Sequence, residues 1–366
     1  MSHSPIRILH VVTNMSYGGL ENLLMNYYRH MDRNRIQFDF LTHVEIHQDF
    51  EEEIAALGGR LYRLPRMNPL SSSYRSVLHS FLEEHKEYRV IHSHLNCTAG
   101  VPLKPAMELG IPMRIAHAHS SNLNWNPKVL IKLWCKQSIP KYATHLFACG
   151  EKAGSWMFKG KEFTLMRNAI DVADFSYDPI RSRQMREQLG ITGKFVLGHV
   201  GQFRQEKNHL FLIRVFHEVL KKEPNAALIL VGKGPEMEKT KELCRSLGIT
   251  DSVHFLGARP DIPDLMQGMD VFILPSLFEG LPVTMIEAQA SGLPFVLSDR
   301  VPPECMLSET GIRLSLDAPL TQWADTVLSY REFPRTNTAE LLRSAGYDVE
   351  ANAKWLEEFY YNGAKN

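Results

Sequence analysis

The chain has 366 residues, and its 41 Lys and Arg residues are balanced by 41 Asp and Glu residues. This length exceeds one ordinary domain of about 150 residues and predicts two domains, while zero formal charge argues against a nucleic-acid-binding protein that relies on net positive charge. Its five cysteines form no C-x-x-C pair, no signal peptide is evident and no apolar run reaches the ~18 residues of a membrane helix, so we expect a cytoplasmic protein with reduced thiols.

Short apolar runs in the first half of the chain predict strands at 6–12, 37–42, 60–64, 89–94, 113–118 and 144–148. After the first run, apolar residues from Leu20 to Met31 recur at helical spacing and predict an amphipathic helix. Gly18 and Gly19 stand where this helix begins. Glycines allow a ligand to approach the backbone, and a helix N-terminus offers free N–H groups to a phosphate. The alternative is an ordinary tight turn.

Two His-x-His pairs, His92 with His94 and His117 with His119, end predicted strands. Residues i and i+2 of a strand lie on the same face, and neutral imidazoles are common zinc ligands. No cysteine or carboxylate cluster accompanies them, so a metal site, as in a metal-dependent hydrolase, is the less favoured alternative. Some of these histidines are expected to be structural. One is expected to reach a ligand-binding cleft and to hydrogen-bond a sugar hydroxyl or a phosphate there.

The segment Lys128–Tyr142 mixes four lysines with Val129, Leu130, Leu133 and Trp134. The composition favours a buried helix whose lysines are solvated. The alternative is a basic amphipathic helix that lies on a membrane surface.

The second half alternates apolar runs with helical patterns, which predicts a parallel sheet buried on both faces. The strands are predicted at Phe195–Val200, Ala227–Val231, Val253–Leu256, Val271–Leu274 and Phe295–Ser298. Helices are predicted at 209–222, 236–247, 262–268 and 283–291, with a further aromatic-rich helix at 348–362. The pattern restarts after a polar stretch, so we divide the chain into 1–178, 179–347 and a terminal helix from 348 onward.

Two loops that follow strands of the second half carry chemistry suited to a diphosphate sugar. Gly201–Asn208 delivers Arg204 and Lys207, a fork of donors and a point charge. The alternative for this loop is a solvated charged turn. Pro275–Pro282 contains Glu279 and opens a helix that carries Glu287. Here the amides of Gly280 and Leu281 are expected near the positive end of the helix dipole.

Together these segments resemble the retaining glycosyltransferases of family 4, which have the GT-B fold. The resemblance covers nearly the whole chain, and its most specific part is the E-x7-E spacing of Glu279 and Glu287. It implies two Rossmann-like, doubly wound domains with a cleft between them and a terminal helix that packs back on the first domain. A narrower likeness, carried by Phe147–Phe158, is to members assigned to exopolysaccharide and capsule synthesis.

The resemblance also implies roles for single residues. Lys207 and Arg204 would hold the donor diphosphate, Glu279 with the amides of Gly280 and Leu281 would contact the transferred sugar, and Glu287 would hold the ribose. From the first domain, which faces the acceptor, Gly18 and Gly19 would close on the phosphates and His119 would lie near the donor sugar. One departure is Gln202, which stands where family members often have Arg.

The resemblance implies a nucleotide-diphosphate sugar, with UDP as the nucleotide, as co-substrate, and we expect no cofactor. No Asp-x-Asp motif is present, so cations and helix N-termini are expected to neutralise the leaving diphosphate in place of a metal. The expected acceptor is a glycan or a lipid-linked saccharide, with peripheral contact to the inner membrane surface. Two alternatives stay open: a nucleotide-sugar epimerase or hydrolase on the same fold, and a catalytically silent partner of another transferase.

Overall fold

A computed structural model of the protein describes residues 4–120 and 129–365. Lys128, the first lysine of the predicted basic helix, lies outside these described residues. Within them, no helix combines the length and the apolar character that are needed to cross a bilayer. The five cysteines are all unpaired and buried.

The described chain divides into two compact units, of which the second is Ile170–Tyr347 and the first contains the residues on either side of it. The predicted boundary after residue 178 is therefore too late. Residues just after Ile170 belong to the second unit because Val172 and Phe175 are buried in its apolar core.

The first unit is built on one parallel sheet. Its strands are β1 (Ile6–Val11), β2 (Ile36–Thr42), β3 (Leu61–Arg63), β4 (Val90–Ser93), β5 (Met113–Ala118), β6 (His145–Ala148) and β7 (Thr164–Leu165). They lie in the order β3-β2-β1-β4-β5-β6-β7. Its helices are α1 (Gly19–His30), α2 (Glu51–Ala56), α3 (Ser72–Glu84), α4 (Gly100–Glu108), α5 (Val129–Tyr142), α6 (Glu151–Phe158) and, from the far end of the chain, α15 (Val349–Lys365).

The second unit has a parallel sheet of six strands. These are β8 (Phe195–Val200), β9 (Ala226–Val231), β10 (Val253–Gly257), β11 (Val271–Leu274), β12 (Phe295–Ser298) and β13 (Gly311–Leu314), in the order β10-β9-β8-β11-β12-β13. Its helices are α7 (Val172–Phe175), α8 (Pro179–Gln188), α9 (His209–Lys222), α10 (Met237–Ser246), α11 (Ile262–Gln267), α12 (Val283–Ala290), α13 (Leu320–Leu328) and α14 (Ala339–Ser344). The expected pair of doubly wound parallel sheets is confirmed.

Strand order fixes where each unit can hold a ligand. In the first sheet β1 lies between β2 and β4, and in the second β8 lies between β9 and β11, so the direction of winding reverses beside the first strand of each. Ligands of such sheets bind outside the carboxyl ends of the strands at this reversal. In the first unit that edge carries the histidines and the start of α1, and in the second it carries the loops after β8 and β11.

Helix α15 is part of the core of the first unit, where it contacts α1, β1, β2 and β4. Tyr360 is fully buried and its hydroxyl lies 2.6 Å from His92 Nδ1. The carboxylate of Glu357 accepts from Arg35 Nη1 at 2.5 Å and from the backbone N–H of Asp32 at 3.0 Å. The helix is therefore held by both apolar packing and an ion pair.

Helix α5 is oriented differently from the interpretation that its composition favours. Leu130 is 78% exposed and Trp134 is 62% exposed, whereas Lys136 is buried with its Nζ 3.7 Å from the centre of the Trp156 ring. The apolar side chains on this face are in solvent and one lysine is inside. The favoured picture of a buried helix with solvated lysines is therefore wrong for these positions.

Candidate active site

The loop that follows β8 is folded back against the loop that follows β9. Phe203 is fully buried, its backbone N–H donates to Lys233 O at 3.0 Å, and its carbonyl accepts from the N–H of Glu236 at 2.9 Å. Arg204 is exposed at the start of a short 3-10 turn that ends at Lys207. The buried ring thus anchors a loop on which Arg204 is exposed and Lys207 is partly exposed.

Lys207 and Glu279 contact each other directly, across the ends of the neighbouring strands β8 and β11. Lys207 Nζ donates to Glu279 Oε1 at 2.5 Å, and the same carboxylate oxygen accepts from Ser276 Oγ at 2.7 Å. The two charged side chains are only 20% and 10% exposed. Each charge is therefore neutralised by the other, and a ligand phosphate would compete with Glu279 for the lysine.

The residue after Lys207 joins the two loops. Asn208 has a positive φ of 57°, and its side-chain amide donates to Pro275 O at 3.1 Å. The backbone N–H of Leu277 donates to Glu206 O at 2.8 Å. Because asparagine adopts this left-handed conformation more readily than most residues, it suits the position between the 3-10 turn and α9.

Gly280 and Leu281 precede α12, and both are partly exposed. Their backbone amides have no hydrogen-bond partner among the described residues. Near the N-terminus of a helix such amides favour an anion or a polarised oxygen. Glu287, on the second turn of this helix, is buried, and desolvation raises its pKa to about 7. No side-chain hydrogen bond joins it to the described residues, so its carboxyl group is available to ligand hydroxyls.

Two further polar residues lie at this edge of the second sheet, and the sequence did not single them out. Ser276 is the second residue after β11 and its hydroxyl donates to the Glu279 carboxylate, but a serine in a loop is too common to predict such a role. His199 on β8 is buried, donates from Nδ1 to Ile273 O at 2.8 Å, and has no partner for Nε2. Burial lowers its pKa to about 4. Its position inside an apolar strand gave no signal for a polar role.

In the first unit, Gly18 and Gly19 lie where they were expected, at the start of α1. Gly18 is extended and Gly19 is the first helical residue, with open space on its Cα. Glu21 lies beside them, because its carboxylate occupies the space that a side chain on Gly18 would need. Burial raises the pKa of Glu21 to about 7. This acid was not predicted, since a glutamate in the first turn of a helix is common.

His119 directly follows β5 and is the partly exposed end of a run of buried imidazoles. Its Nε2 lies 3.0 Å from His94 Nδ1, and His94 Nε2 lies 2.9 Å from His10 Nδ1. Burial lowers the pKa of His119 to about 3, so the ring is neutral. His10 was missed because it stands alone in the sequence, and only strand pairing brings it beside the His-x-His pairs.

The structure distributes the predicted site residues between the two units. Lys207, Glu279, Gly280 and Leu281 form one continuous group, with Arg204 on the same loop as Lys207 and Glu287 on the helix that follows. The first unit contains Gly18, Gly19 and His119, all after carboxyl ends of its strands.

The chain is similar to known glycosyltransferases over nearly its whole length. Residues 181–327 match the family described as "Glycosyl transferases group 1". The EpsF protein of Bacillus subtilis (strain 168), assigned as a glycosyltransferase, is 34% identical, with 98% of this chain and 97% of EpsF covered. The Escherichia coli UDP-Gal:alpha-D-GlcNAc-diphosphoundecaprenol alpha-1,3-galactosyltransferase is 23% identical over 54% of each chain.

Solved structures share the fold of the complete chain. Anabaena Alr3699/HepE in complex with UDP-glucose has a TM-score of 0.79 at 18% identity, with 97% of this chain and 99% of HepE covered. WaaG, a glycosyltransferase involved in lipopolysaccharide biosynthesis, has a TM-score of 0.73 at 16% identity, with 96% and 99% covered. The GT-B fold expected from the sequence is thereby confirmed.

Proposed function

Because this chain belongs to the group 1 glycosyl transferases, we propose that it moves a sugar from a UDP-sugar to a glycan or lipid-linked saccharide in exopolysaccharide or capsule synthesis. The observation that carries the proposal is the contact between Lys207 and Glu279 beside the open amides of Gly280 and Leu281. It brings a cation that would bind phosphate and a carboxylate that would bind sugar to one edge of a sheet. UDP is supported by the names of the E. coli relative and of the HepE complexes.

In this proposal the second unit binds the donor. Lys207 would leave Glu279 for the diphosphate, and Arg204 would add a second cation. Glu279, still oriented by Ser276, would then accept from hydroxyls of the transferred sugar, and Glu287 from those of the ribose. The first unit would contribute Gly18 and Gly19 to the phosphates and His119 to the donor sugar. A neutral imidazole suits that last role because it can donate from one nitrogen and accept at the other.

We infer that the reaction retains the configuration of the donor sugar and needs no metal. The acceptor hydroxyl would attack from the face that the diphosphate leaves, and a phosphate oxygen would take its proton. Catalysis then consists of positioning and charge stabilisation, for which Lys207, Arg204 and the loop amides suffice.

A panel of nucleotide sugars tests the donor. Binding to the native state alone raises the melting temperature, so the expected result is a larger shift with UDP-sugars than with GDP- or ADP-sugars.

Analysis of the product by NMR tests retention, and an inverted glycosidic linkage would refute it. Turnover in EDTA tests metal independence, and complete loss of activity that Mg²⁺ restores would contradict it.

Incubation of the donor without an acceptor separates transfer from the alternatives. A transferase should leave most of the donor intact until an acceptor is added. Rapid formation of an epimer or of free sugar would instead support an epimerase or hydrolase. Full binding of the donor without any turnover on a range of acceptors would support a catalytically silent partner.

We also propose that the enzyme is cytoplasmic and contacts an anionic membrane surface peripherally through α5. The support is the exposure of Leu130 and Trp134 on a helix whose described residues include two lysines outside the core, Lys132 and Lys141, and no acid. Apolar and aromatic side chains flanked by lysines suit the boundary of anionic lipids. Wild-type protein should sediment with vesicles that contain phosphatidylglycerol, and L130S/W134S should not. Ile180→Ser, which removes an exposed apolar side chain from the other unit, is the matched control.

A further inference from the structure

Five histidines of the first unit lie side by side at the carboxyl edge of its sheet. They come from the neighbouring strands β1, β4 and β5 and from the residues that follow them: His10, His92, His94, His117 and His119. Adjacent rings are close, with 4.2 Å between the ring centres of His92 and His94 and 4.0 Å between those of His117 and His119. Only strand pairing assembles this group.

Two overlapping triads offer ligand atoms at metal-binding separations: His10, His92 and His94, which are all buried, and His94, His117 and His119, which reach the surface at His119. One ring nitrogen from each of His94, His117 and His119 lies within 4.8 Å of the other two. His94 and His117 are buried and His119 is partly exposed, so the group has one side toward solvent. His117 and His119 are two residues apart and share a strand face, which directs both rings to the same place.

The remaining nitrogens of two of these rings are already held by other histidines. His94 Nε2 is hydrogen-bonded to His10 Nδ1 at 2.9 Å, and His117 Nδ1 is hydrogen-bonded to His92 Nε2 at 3.2 Å. His92 in turn contacts the Tyr360 hydroxyl. Metal-binding histidines use this arrangement, in which the other N–H is donated to a partner that fixes the ring and its tautomer.

One nitrogen of the triad His94, His117 and His119 is unsatisfied without a ligand. His117 Nε2 is buried and has no hydrogen-bond partner among the described residues. A buried polar atom without a partner destabilises the folded state, so native structures rarely keep one without a reason. An ion bound by this nitrogen, His94 Nδ1 and His119 Nε2 would satisfy it. The ion would replace the 3.0 Å hydrogen bond between the last two atoms, and the three rings would stay neutral with their protons on the opposite nitrogens.

We propose that His94, His117 and His119 form a binding site for a late transition-metal dication of the zinc type. Imidazole nitrogens suit Zn²⁺, Co²⁺ and Ni²⁺, whereas Mg²⁺ and Ca²⁺ prefer oxygen ligands. Three protein ligands leave a fourth position for water on the exposed side of His119. Such a site differs from a metal under the diphosphate, because its ligands come from the first unit and include no carboxylate.

The site has a consequence for activity that rests on the proposed function. If His119 contacts the donor sugar, an ion on the nitrogen of His119 that faces His94 would place a positive charge and its bound water beside that sugar. Zinc is therefore an inhibitor of transfer, while the metal-free enzyme is the active form. Zinc should slow transfer and EDTA should restore the rate.

Cobalt titration of tag-free, chelator-treated protein tests the site without any assay of turnover. Wild-type protein should bind about one Co²⁺ per chain and show the intense visible absorption of a four-coordinate cobalt ion. His117→Phe keeps an aromatic ring in the stack and removes one ligand, so the absorption should disappear. His10→Phe removes only a partner of His94 and should weaken affinity by about 10–100-fold.

His209→Phe is the matched control, because His209 is a buried histidine of the other unit with two unpartnered ring nitrogens. Its cobalt spectrum should equal that of the wild type. Circular dichroism must show that each variant is folded. A wild-type protein without the absorption, or a spectrum unchanged in folded His117→Phe, would overturn the proposal. An intact cobalt spectrum in a protein that transfers no sugar would instead refute only the proposed function.

Discussion

The contact of Lys207 with Glu279 leads to a prediction for the turnover of a Lys207 variant. Lys207→Ala should lower turnover by at least ~100-fold, because the cation that balances the leaving diphosphate is lost. Lys222→Ala, which removes a lysine from an exposed ion pair with Asp325, is the control and should turn over normally. Initial rates at saturating donor measure both. Near-normal turnover of a folded Lys207→Ala protein would contradict the phosphate role.

Burial of Glu287 predicts a pH dependence of stability. With a pKa near 7, the folded protein keeps a proton that the unfolded chain releases above about pH 4.5. The associated stability is present below pH 4.5 and is lost as the pH rises through 7. Glu287→Gln should therefore be more stable than the wild type by ~1–3 kcal/mol at pH 8 and about equal to it at pH 4.5. Urea unfolding at both pH values measures this.

An exposed glutamate provides the comparison for that substitution. Glu242→Gln changes a side chain on the surface of α10 and should shift the unfolding free energy by less than ~0.5 kcal/mol at either pH. An equal effect of the two substitutions would show that burial of Glu287 does not control its proton.

Single site residues were predictable from the sequence where the residues next to them in the chain indicate their role. Glu279 and Gly280 stand in one loop with glycine and proline around them, so local chemistry was sufficient. Ser276 and Glu21 lie three residues from Glu279 and Gly18, but serine in a loop and glutamate in the first turn of a helix are too common to indicate a role. His10 was missed because strand pairing brings its partner His94 beside it. A single sequence contains no direct record of such contacts.

Between whole elements, the contact of the loops after β8 and β9 depends on glycine. Gly232 has a φ of 141°, and a Cβ there would collide with the carbonyl of Gly201. Gly232→Ala should therefore displace the loop that carries Lys207 and lower kcat/KM by ~10–100-fold. Gly248→Ala has the same kind of backbone strain, with a φ of 69°, but its new Cβ would have no atom within 4 Å. It should lose stability and keep its kcat/KM, and equal losses of activity in both variants would refute this account.

Helix α15 offers a second comparison, between adjacent tyrosines. Tyr360 is buried against Phe38, and its hydroxyl is hydrogen-bonded to His92. Tyr361 is partly exposed, with the ammonium group of Lys365 near its ring. Tyr360→Ala should cost the first unit ~3–5 kcal/mol. Tyr361→Ala should cost less than ~1 kcal/mol. Urea unfolding followed by circular dichroism checks both, and similar losses would mean that α15 is not part of the core.

Most strands were predictable because a strand buried on both faces is a continuous apolar run. The edge strands β7 and β13 were not, since one has two residues and the other contains the exposed side chains of Ile312 and Arg313. The orientation of α5 was also beyond prediction. Periodicity shows that a helix has two faces, but α4 and α6 decide which of them is covered.

For the whole molecule, buried histidines predict sensitivity to acid. Burial lowers the pKa of His10 and of His119 to about 3 and that of His199 to about 4. The unfolded chain binds protons below about pH 6.5 that the folded protein excludes, so stability is present above pH 6.5 and is lost as the pH falls toward 3.

Removal of one buried imidazole should reduce that sensitivity. In His10→Phe the dependence of the unfolding free energy on pH between 4 and 6 should be smaller by up to ~1.4 kcal/mol per pH unit. His47→Phe, which replaces an exposed histidine, should leave it unchanged. Denaturant titrations across this range measure the slopes, and parallel curves for His10→Phe and the wild type would show that His10 takes up no extra proton on unfolding.

The place of α15 has a consequence for synthesis on the ribosome. Domains usually fold in the order in which they emerge. Here α15, which carries Tyr360 and packs on one face of the first unit's sheet, is translated only after the entire second unit. The second unit, Ile170–Tyr347, is contiguous and can fold while the first still exposes apolar surface. We therefore expect the second unit to fold before the first. The first unit should depend on holding chaperones until α15 has left the ribosome.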